Sequence, residues 1–178
     1  MTLFRRSAGF TLVELMFTIA ILGIVMAIGV PSFTTMIQNN RLTAAFNDLA
    51  GALHFARAEA VRRGEAIRVD AIDNNISNGL RVWYDKNGDN GMDAGEELRL
   101  VRLSAASGVA VSGELNGSSE ANLSISYSPR GVVSNGGSRV FTLCDDRSGN
   151  HGKTLELLAS GLLRPTSGIA CNHQESAP

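Results

Sequence analysis

The sequence predicts an α+β protein: one long N-terminal helix, membrane-spanning in its first half and amphipathic in its second, packed on an antiparallel β-sheet domain. Three observations predict it. Phe10–Val30 reads FTLVELMFTIAILGIVMAIGV, apolar except for Thr11, Glu14 and Thr18. Residues 32–64 change to a helical period with a single apolar face. From Glu65 onward apolar and polar residues alternate in short runs separated by Gly, Asn and Asp. With 178 residues and a formal charge of -1, there is room for one modest domain besides the helix. There is no global electrostatic footprint for nucleic acid or anionic lipid.

The N-terminal element comes first. Met1–Gly9 is short and carries Arg5 and Arg6. A helix over Phe10–Val30 would run roughly 31 Å, matching a bilayer core of about 30 Å. The two arginines place Met1 in the cytoplasm and the bulk of the chain outside it. A cleaved secretory signal fits poorly, because Glu14 interrupts the apolar run and no small-x-small site follows it. A plain signal anchor leaves Glu14 unexplained, since an acid in a membrane helix costs on the order of 2–3 kcal/mol.

Ser7-Ala8-Gly9 followed by Phe10-Thr11-Leu12-Val13-Glu14-Leu15 resembles the signature of the type IV pilin superfamily. The resemblance implies that residues 1–9 are a leader, that a prepilin peptidase cuts after Gly9, and that the new N-terminal residue, Phe10, is N-methylated. The family's assembly glutamate falls on Glu14, and its helix-kinking proline on Pro31. The physics agrees. A free amine left in lipid is an expensive charge, and a carboxylate from a neighbouring subunit can neutralise it, so Glu14 couples membrane cost to assembly. On this reading residues 10–31 form the transmembrane and filament-core helix, held in the bacterial inner membrane with a periplasmic C-terminal domain until assembly.

In residues 32–64, Leu42, Phe46, Leu49, Leu53, Ala56 and Ala60 recur at steps of three and four and mark the buried face. Asn47, Asp48, Arg57 and Arg63 lie off it. Arg62 and Arg63 suit the negative end of the helix dipole, and Gly64 is a natural stop. Pro31 is expected to bend the helix without ending it. His54 beside the stripe has no second ligand-type residue at metal spacing and reads as a surface or packing residue. Phe55–Gly64, reading FARAEAVRRG, resembles the GspH/FimT branch of the superfamily.

Six strands are expected in residues 65–178: Ile67–Ala71, Leu80–Tyr84, Leu98–Leu103, Leu123–Tyr127, Val140–Cys144 and Thr154–Leu158. The turn Tyr127–Gly131 and the run Cys144–Arg147 also resemble the GspH/FimT domain, a likeness that thins over 104–122 and after Cys171. Cys144 and Cys171 form no CxxC and suit one disulfide in an oxidising compartment, two buried thiols being the alternative.

The segment Asp85–Glu96 is a candidate Ca²⁺ loop. Set against an EF-hand, Asp85, Asn87 and Asp89 take positions 1, 3 and 5. Gly91 takes 7, Asp93 takes 9 and Glu96 takes 12. Asn90 stands where the turn glycine belongs, and Asn tolerates the left-handed conformation. The competing reading is a solvated hairpin loop, rich in Asp, Asn and Gly as turns are. No cofactor is required on either reading.

No GxSxG, HExxH or phosphate-binding loop occurs, and His54, His151 and His173 are scattered, so nothing local suggests an enzyme. The resemblance implies a filament subunit whose partners are the prepilin peptidase and other pilins or pseudopilins. That leaves a minor pilin of a type IV pilus or pseudopilin H of a type II secretion system. A third reading is DNA capture, which in FimT-like pilins uses a Gly-Arg-x-Arg motif. Here Gly161-Leu162-Leu163-Arg164 replaces the first arginine by Leu162, leaving Lys153 and Arg164 as the candidate DNA contacts. Arg139, Arg147, Lys153 and Arg164 are offset by Asp145, Asp146, Glu156 and Glu175, whereas phosphate binding needs an uncompensated cluster.

Overall fold

The computed structural model describes residues 9–103, 108–120 and 122–171. Arg5 and Arg6 in the expected leader, together with His173 and Glu175, lie outside the described residues. Helix α1 runs without a break from Leu12 to Arg63. Pro31 lies inside it, as expected of a proline flanked by good helix formers. The hydroxyls of Thr34 and Thr35 donate to the Pro31 carbonyl at 2.9 and 3.0 Å. The helix ends at Gly64, whose φ of +70° suits a residue without a side chain. Its N–H closes on the Ala60 carbonyl at 3.0 Å.

By its internal contacts the chain divides into a unit up to Gln38 and a unit from Asn39 onward. In the first, every described residue as far as Ile37 is exposed, including the whole apolar run. This stretch is long and apolar enough to cross a membrane.

In the second unit α1 buries Leu42, Ala45, Leu49, Ala52, Leu53, Ala56 and Ala60. Phe46 packs half-buried at the rim of this stripe. The strands are β1 (Ile67–Ala71), β2 (Leu80–Trp83), β3 (Glu97–Val101), β4 (Val109–Leu115), β5 (Ser118–Ser119), β6 (Ser124–Tyr127), β7 (Arg139–Asp145), β8 (Gly149–Leu157) and β9 (Leu163–Cys171). They form two antiparallel sheets, in the orders β3-β2-β1-β6 and β5-β4-β7-β8-β9. Residues of both sheets and of the helix share one hydrophobic core.

The expected α+β layout is present, with differences of detail. β8 begins at Gly149 rather than Thr154, and β3 ends at Val101 rather than Leu103. β4, β5 and β9 were not among the expected strands. β4 does alternate, burying Val109, Val111 and Gly113, but Ala, Ser and Gly dilute the pattern. β9 is an edge strand, exposed along most of its length and carrying Pro165, so it has no apolar period to detect.

Candidate functional site

The N-terminal end is built by capping. Gly9 and Phe10 precede the helix and are exposed, so the peptide bond between them is accessible. Thr11 Oγ1 accepts a hydrogen bond from the Glu14 N–H at 3.2 Å, which makes Thr11 the N-cap and puts Glu14 at the third helical position. This is the geometry of a Thr-x-x-Glu cap, and it places the acid where the helix dipole favours negative charge. Sequence reading singled out Glu14 and missed Thr11, although the Thr-x-x-Glu spacing was the available signal. Thr18 Oγ1 donates back to the Glu14 carbonyl at 2.6 Å.

Cys144 on β7 and Cys171 at the end of β9 form a disulfide, with Cα atoms 5.7 Å apart. β8 lies between these strands, and its pairing with β9 slips at Gly149, Gly152 and Lys153. Gly152 is the residue beneath the bridge. A Cβ there would stand 2.6 Å from Cys171 Sγ and 3.3 Å from Cys144 Sγ. Beside it, Arg147 holds Asp145 and donates to Asn39 Oδ1 at 2.9 Å, tying the β7–β8 connection to α1. Burial alone would raise the Asp145 carboxyl, but the side-chain and backbone donors of Arg147 outweigh it and hold the group below its ordinary value.

The loop after β2 turns its acids inward onto its own backbone. Asp85 accepts from the N–H groups of Gly88 at 2.7 Å and Asn90 at 3.0 Å. Glu96, buried, accepts from those of Lys86 at 2.8 Å and Asp93 at 3.0 Å. The Asn87 amide donates to Asp89 at 3.0 Å and Asp93 at 2.9 Å. Asn90 has φ +64°, the left-handed conformation its position requires. Gly91, whose carbonyl was expected to serve at loop position 7, donates its N–H to Asp89 Oδ1 at 2.7 Å. Among the described residues no group of three His, Cys, Asp or Glu is placed to hold a metal ion. Arg68 pins the loop: it pairs with Asp85 at 3.6 Å, donates to Asn90, and lies over the Trp83 ring at 5.1 Å.

Lys153 and Arg164 are not brought together. Lys153 projects with Leu155 and Leu157 towards the helix, where it donates to Thr43 Oγ1 at 2.9 Å and stacks over Phe46 at 5.5 Å. Arg164 pairs across the strands with Glu156, one residue out of phase with Lys153, and so lies on the other face of the sheet. Both cations already have partners.

A nexus that sequence reading missed joins the helix to two turns. Arg57 Nε donates to the Gly131 carbonyl at 2.8 Å. A Cβ at Gly161 would meet that same carbonyl oxygen at 2.1 Å and Arg57 Nε at 3.0 Å. Both glycines have positive φ, +74° and +77°. Gly161 is therefore required by close backbone approach, and Gly131 by its positive φ with the Val61 and Arg57 side chains packed where a Cβ would stand.

Comparison with known proteins agrees with this architecture. Residues 45–161 match the family model of the type II transport protein GspH, and residues 4–30 match the prokaryotic N-terminal methylation motif. The pilin-like protein PilA1 of Thermus thermophilus is 27% identical over 126 residues, covering 70% of this chain and 78% of that protein. The type IV minor pilin FimU of Pseudomonas aeruginosa superimposes with a TM-score of 0.61 at 22% identity, over 74% of this chain and 93% of that one. A second crystal form of FimU gives a TM-score of 0.58 at 20% identity, over 73% and 97%. At that identity the likeness speaks for the fold. With the methylation motif ahead of it, a family match that spans most of the folded domain places this chain in the GspH family of the type IV pilin superfamily.

Proposed function

We propose that this chain is a minor pilin of a type IV pilus. It is cleaved after Gly9 and N-methylated on Phe10 by a prepilin peptidase, held in the inner membrane with its domain on the periplasmic side, and assembled into or priming the filament. The observation that carries the reading is the Thr11-capped helix, exposed from Leu12 to Ile37, inside the methylation motif. An apolar surface of that length needs lipid first and neighbouring helices afterwards. Glu14, in the first turn, would meet the methylated amine of an adjacent subunit, and Pro31 would set the helix geometry there.

Pseudopilin H of a type II secretion system is the second reading, supported by the description of the matched family model. The relatives, a pilin-like protein and a type IV minor pilin, support the first. The test is expression of the full chain with a prepilin peptidase, followed by mass analysis and shearing of surface filaments. The expected result is loss of residues 1–9, a methyl group on Phe10, and the chain in the sheared pili, with Glu14→Ala retained in the membrane. An unprocessed N-terminus would overturn the reading. Dependence on a secretion assembly instead of a pilus would favour the second.

Ca²⁺ remains the ion whose oxygen chemistry fits Asp85, Asn87, Asp89, Gly91, Asp93 and Glu96. Its proposed role is to stiffen the loop. DNA capture has less to support it, because Lys153 and Arg164 lie on opposite faces with partners of their own.

A further inference from the structure

Three stretches of the chain read Asn-x-Ser with x other than proline, the pattern that accepts an N-linked glycan in an exported domain. They are Asn75-Ile76-Ser77, Asn116-Gly117-Ser118 and Asn122-Leu123-Ser124, and no other Asn-x-Ser or Asn-x-Thr occurs. Each carries an acid two residues ahead of its asparagine: Asp73, Glu114 and Glu120. A carboxylate recurring at one offset is a mark that a transferase with a cationic recognition side chain can read.

The fold treats the three differently. At Asn75 the side-chain oxygen accepts the Ser77 N–H at 2.9 Å. The Ser77 hydroxyl is committed elsewhere: it donates to the Val111 carbonyl at 3.1 Å and accepts the Val111 N–H at 3.0 Å, sealing that part of the β4 edge. At Asn122 the acid is committed, because Glu120 pairs with the buried Arg139 at 3.1 Å. At Asn116 nothing is withheld. Glu114, Asn116, Gly117 and Ser118 are exposed, and the side chains of Glu114, Asn116 and Ser118 make no hydrogen bond or ion pair among the described residues. Asn116 and Gly117, with φ +51° and +83°, form the two-residue turn between β4 and β5. The carboxamide leans over Gly137, where a Cβ would stand 2.1 Å from its oxygen and 3.0 Å from its nitrogen, so the glycine leaves it room. β5 has two residues, pairs only with β4 and ends its sheet. A strand held so slightly opens at low cost, as presentation in a transferase cleft requires.

From this difference we propose that Asn116 is an N-glycosylation site, its co-substrate a polyprenyl-pyrophosphate-linked oligosaccharide at the outer face of the inner membrane. Asn116 Nδ2 forms a bond to the anomeric carbon of the first sugar as the bond from that carbon to the pyrophosphate breaks. One amide proton passes to a base of the transferase, and the polyprenyl pyrophosphate leaves with the electron pair. Glu114 meets the cation of the transferase, and the Ser118 hydroxyl hydrogen-bonds within its cleft. The hydrated glycan then covers the β5 edge, where pairing with a foreign strand would otherwise begin. The inference rests on the reading that places the domain on the periplasmic side, and adds to it a covalent modification.

The experiment expresses the full chain in bacterial cells that hold an oligosaccharyltransferase and its lipid-linked oligosaccharide, and maps glycopeptides by mass. The expected result is one oligosaccharide, on Asn116. Asn116→Asp, which keeps a residue tolerant of the left-handed turn, should lose it, and so should Ser118→Ala. Glu114→Gln should lower occupancy about tenfold, the order of one charge-assisted contact. The Cys144–Cys171 bond is read on the same molecules, because it persists only where the compartment is oxidising. An oxidised chain without glycan overturns the site. Equal glycan on Asn75, Asn116 and Asn122 overturns it too, since the folded domain would then select nothing, and so does full occupancy in Glu114→Gln. Reduced cysteines without glycan overturn the periplasmic reading, and the site with it.

Discussion

Gly152 lies directly under Cys171, and the space its missing side chain leaves is filled by the disulfide. A methyl group there would stand 2.6 Å from Cys171 Sγ and 3.0 Å from the Ile169 carbonyl oxygen. The bridge closes a sequence separation of 27, so removing it should cost about 3–4 kcal/mol on the chain-entropy model. Gly152→Ala should cost about 1–3 kcal/mol through overpacking. The penalty should shrink when Cys144 and Cys171 are both alanine, because the two sites share a contact. Chemical denaturation of the four proteins checks this. An equal penalty in both backgrounds would locate the clash at the Ile169 carbonyl instead.

Arg139 is the largest of the fully buried side chains, at 1% exposure. Its Nε meets Glu120 Oε2 at 3.1 Å, and Nη2 donates to the carbonyls of Ser124 at 3.1 Å and Asn135 at 3.3 Å. It thereby ties β7 in one sheet to the start of β6 in the other. Glu120→Ala should cost about 3 kcal/mol, since it strands a buried guanidinium. Arg139→Met, which removes the charge and keeps the volume, should cost less. Equilibrium unfolding of both variants distinguishes the cases, and the reverse order would show that the carbonyl contacts outweigh the ion pair.

The N-terminal apolar helix was legible because its information is local. An apolar run, one acid and a basic flank can be read in a line, and Glu14 stands out by violating the pattern. The amphipathic stripe was legible for the same reason, missing only Ala45 and Ala52, whose small side chains carry little periodic signal. The pairing of the strands was not legible. β1 pairs with both β2 and the distant β6, and no local feature announces that choice or the split into two sheets. The need for Gly152, Gly131 and Gly161 was hidden for a related reason. Each is fixed by what another segment brings against it, and each reads in sequence as one more turn glycine. Lys153 and Arg164 show the converse: neighbours by chemistry in the sequence, they are separated by strand phase.

Glu59 provides a pH-dependent contribution. Hydrogen bonds from Arg62 and then Arg63 lower its carboxyl to about 2, from an ordinary value of 4.5. A carboxyl more acidic in the folded state adds stability above its unfolded value and loses it as pH falls through the folded one. Wild type should therefore exceed Glu59→Gln above pH 4.5, and the difference should vanish as pH approaches 2. The pair is partly exposed, so the melting difference at neutral pH should be small, about 1–2 °C, and should shrink in salt. A difference independent of pH would trace the effect to packing.

The loop from Asp85 to Glu96 makes a prediction about metal. Its acids already accept backbone hydrogen bonds, and Asn87 spans Asp89 and Asp93. Ca²⁺ must displace that amide, so binding should need roughly the 10⁻⁴–10⁻³ M range of weak extracellular modules. Saturating Ca²⁺ should then raise the melting temperature by a few degrees, about 2–4 °C, and chelator should reverse it. Asp89→Ala should abolish the rise. An unchanged melting curve at 10-fold higher calcium, about 10⁻² M on the same scale, would leave the loop as a hydrogen-bonded connection held by Arg68.

Lys153 and Arg164 should respond differently to alanine substitution. Lys153 is half-buried, with its ammonium on Thr43 and over Phe46, so Lys153→Ala should lose about 1 kcal/mol of stability. Arg164 is exposed and paired with Glu156 at a sheet edge, so Arg164→Ala should change stability by about 0.5 kcal/mol or less. Neither change should alter retention of DNA in a low-salt gel shift, because the two charges lie on opposite faces and cannot neutralise adjacent phosphates together. If both variants lowered DNA retention, and the loss steepened with falling salt, a phosphate-tracking surface would have to wrap the edge at β9. Glu156 would then have to release Arg164 on binding, and Glu156→Gln should strengthen retention.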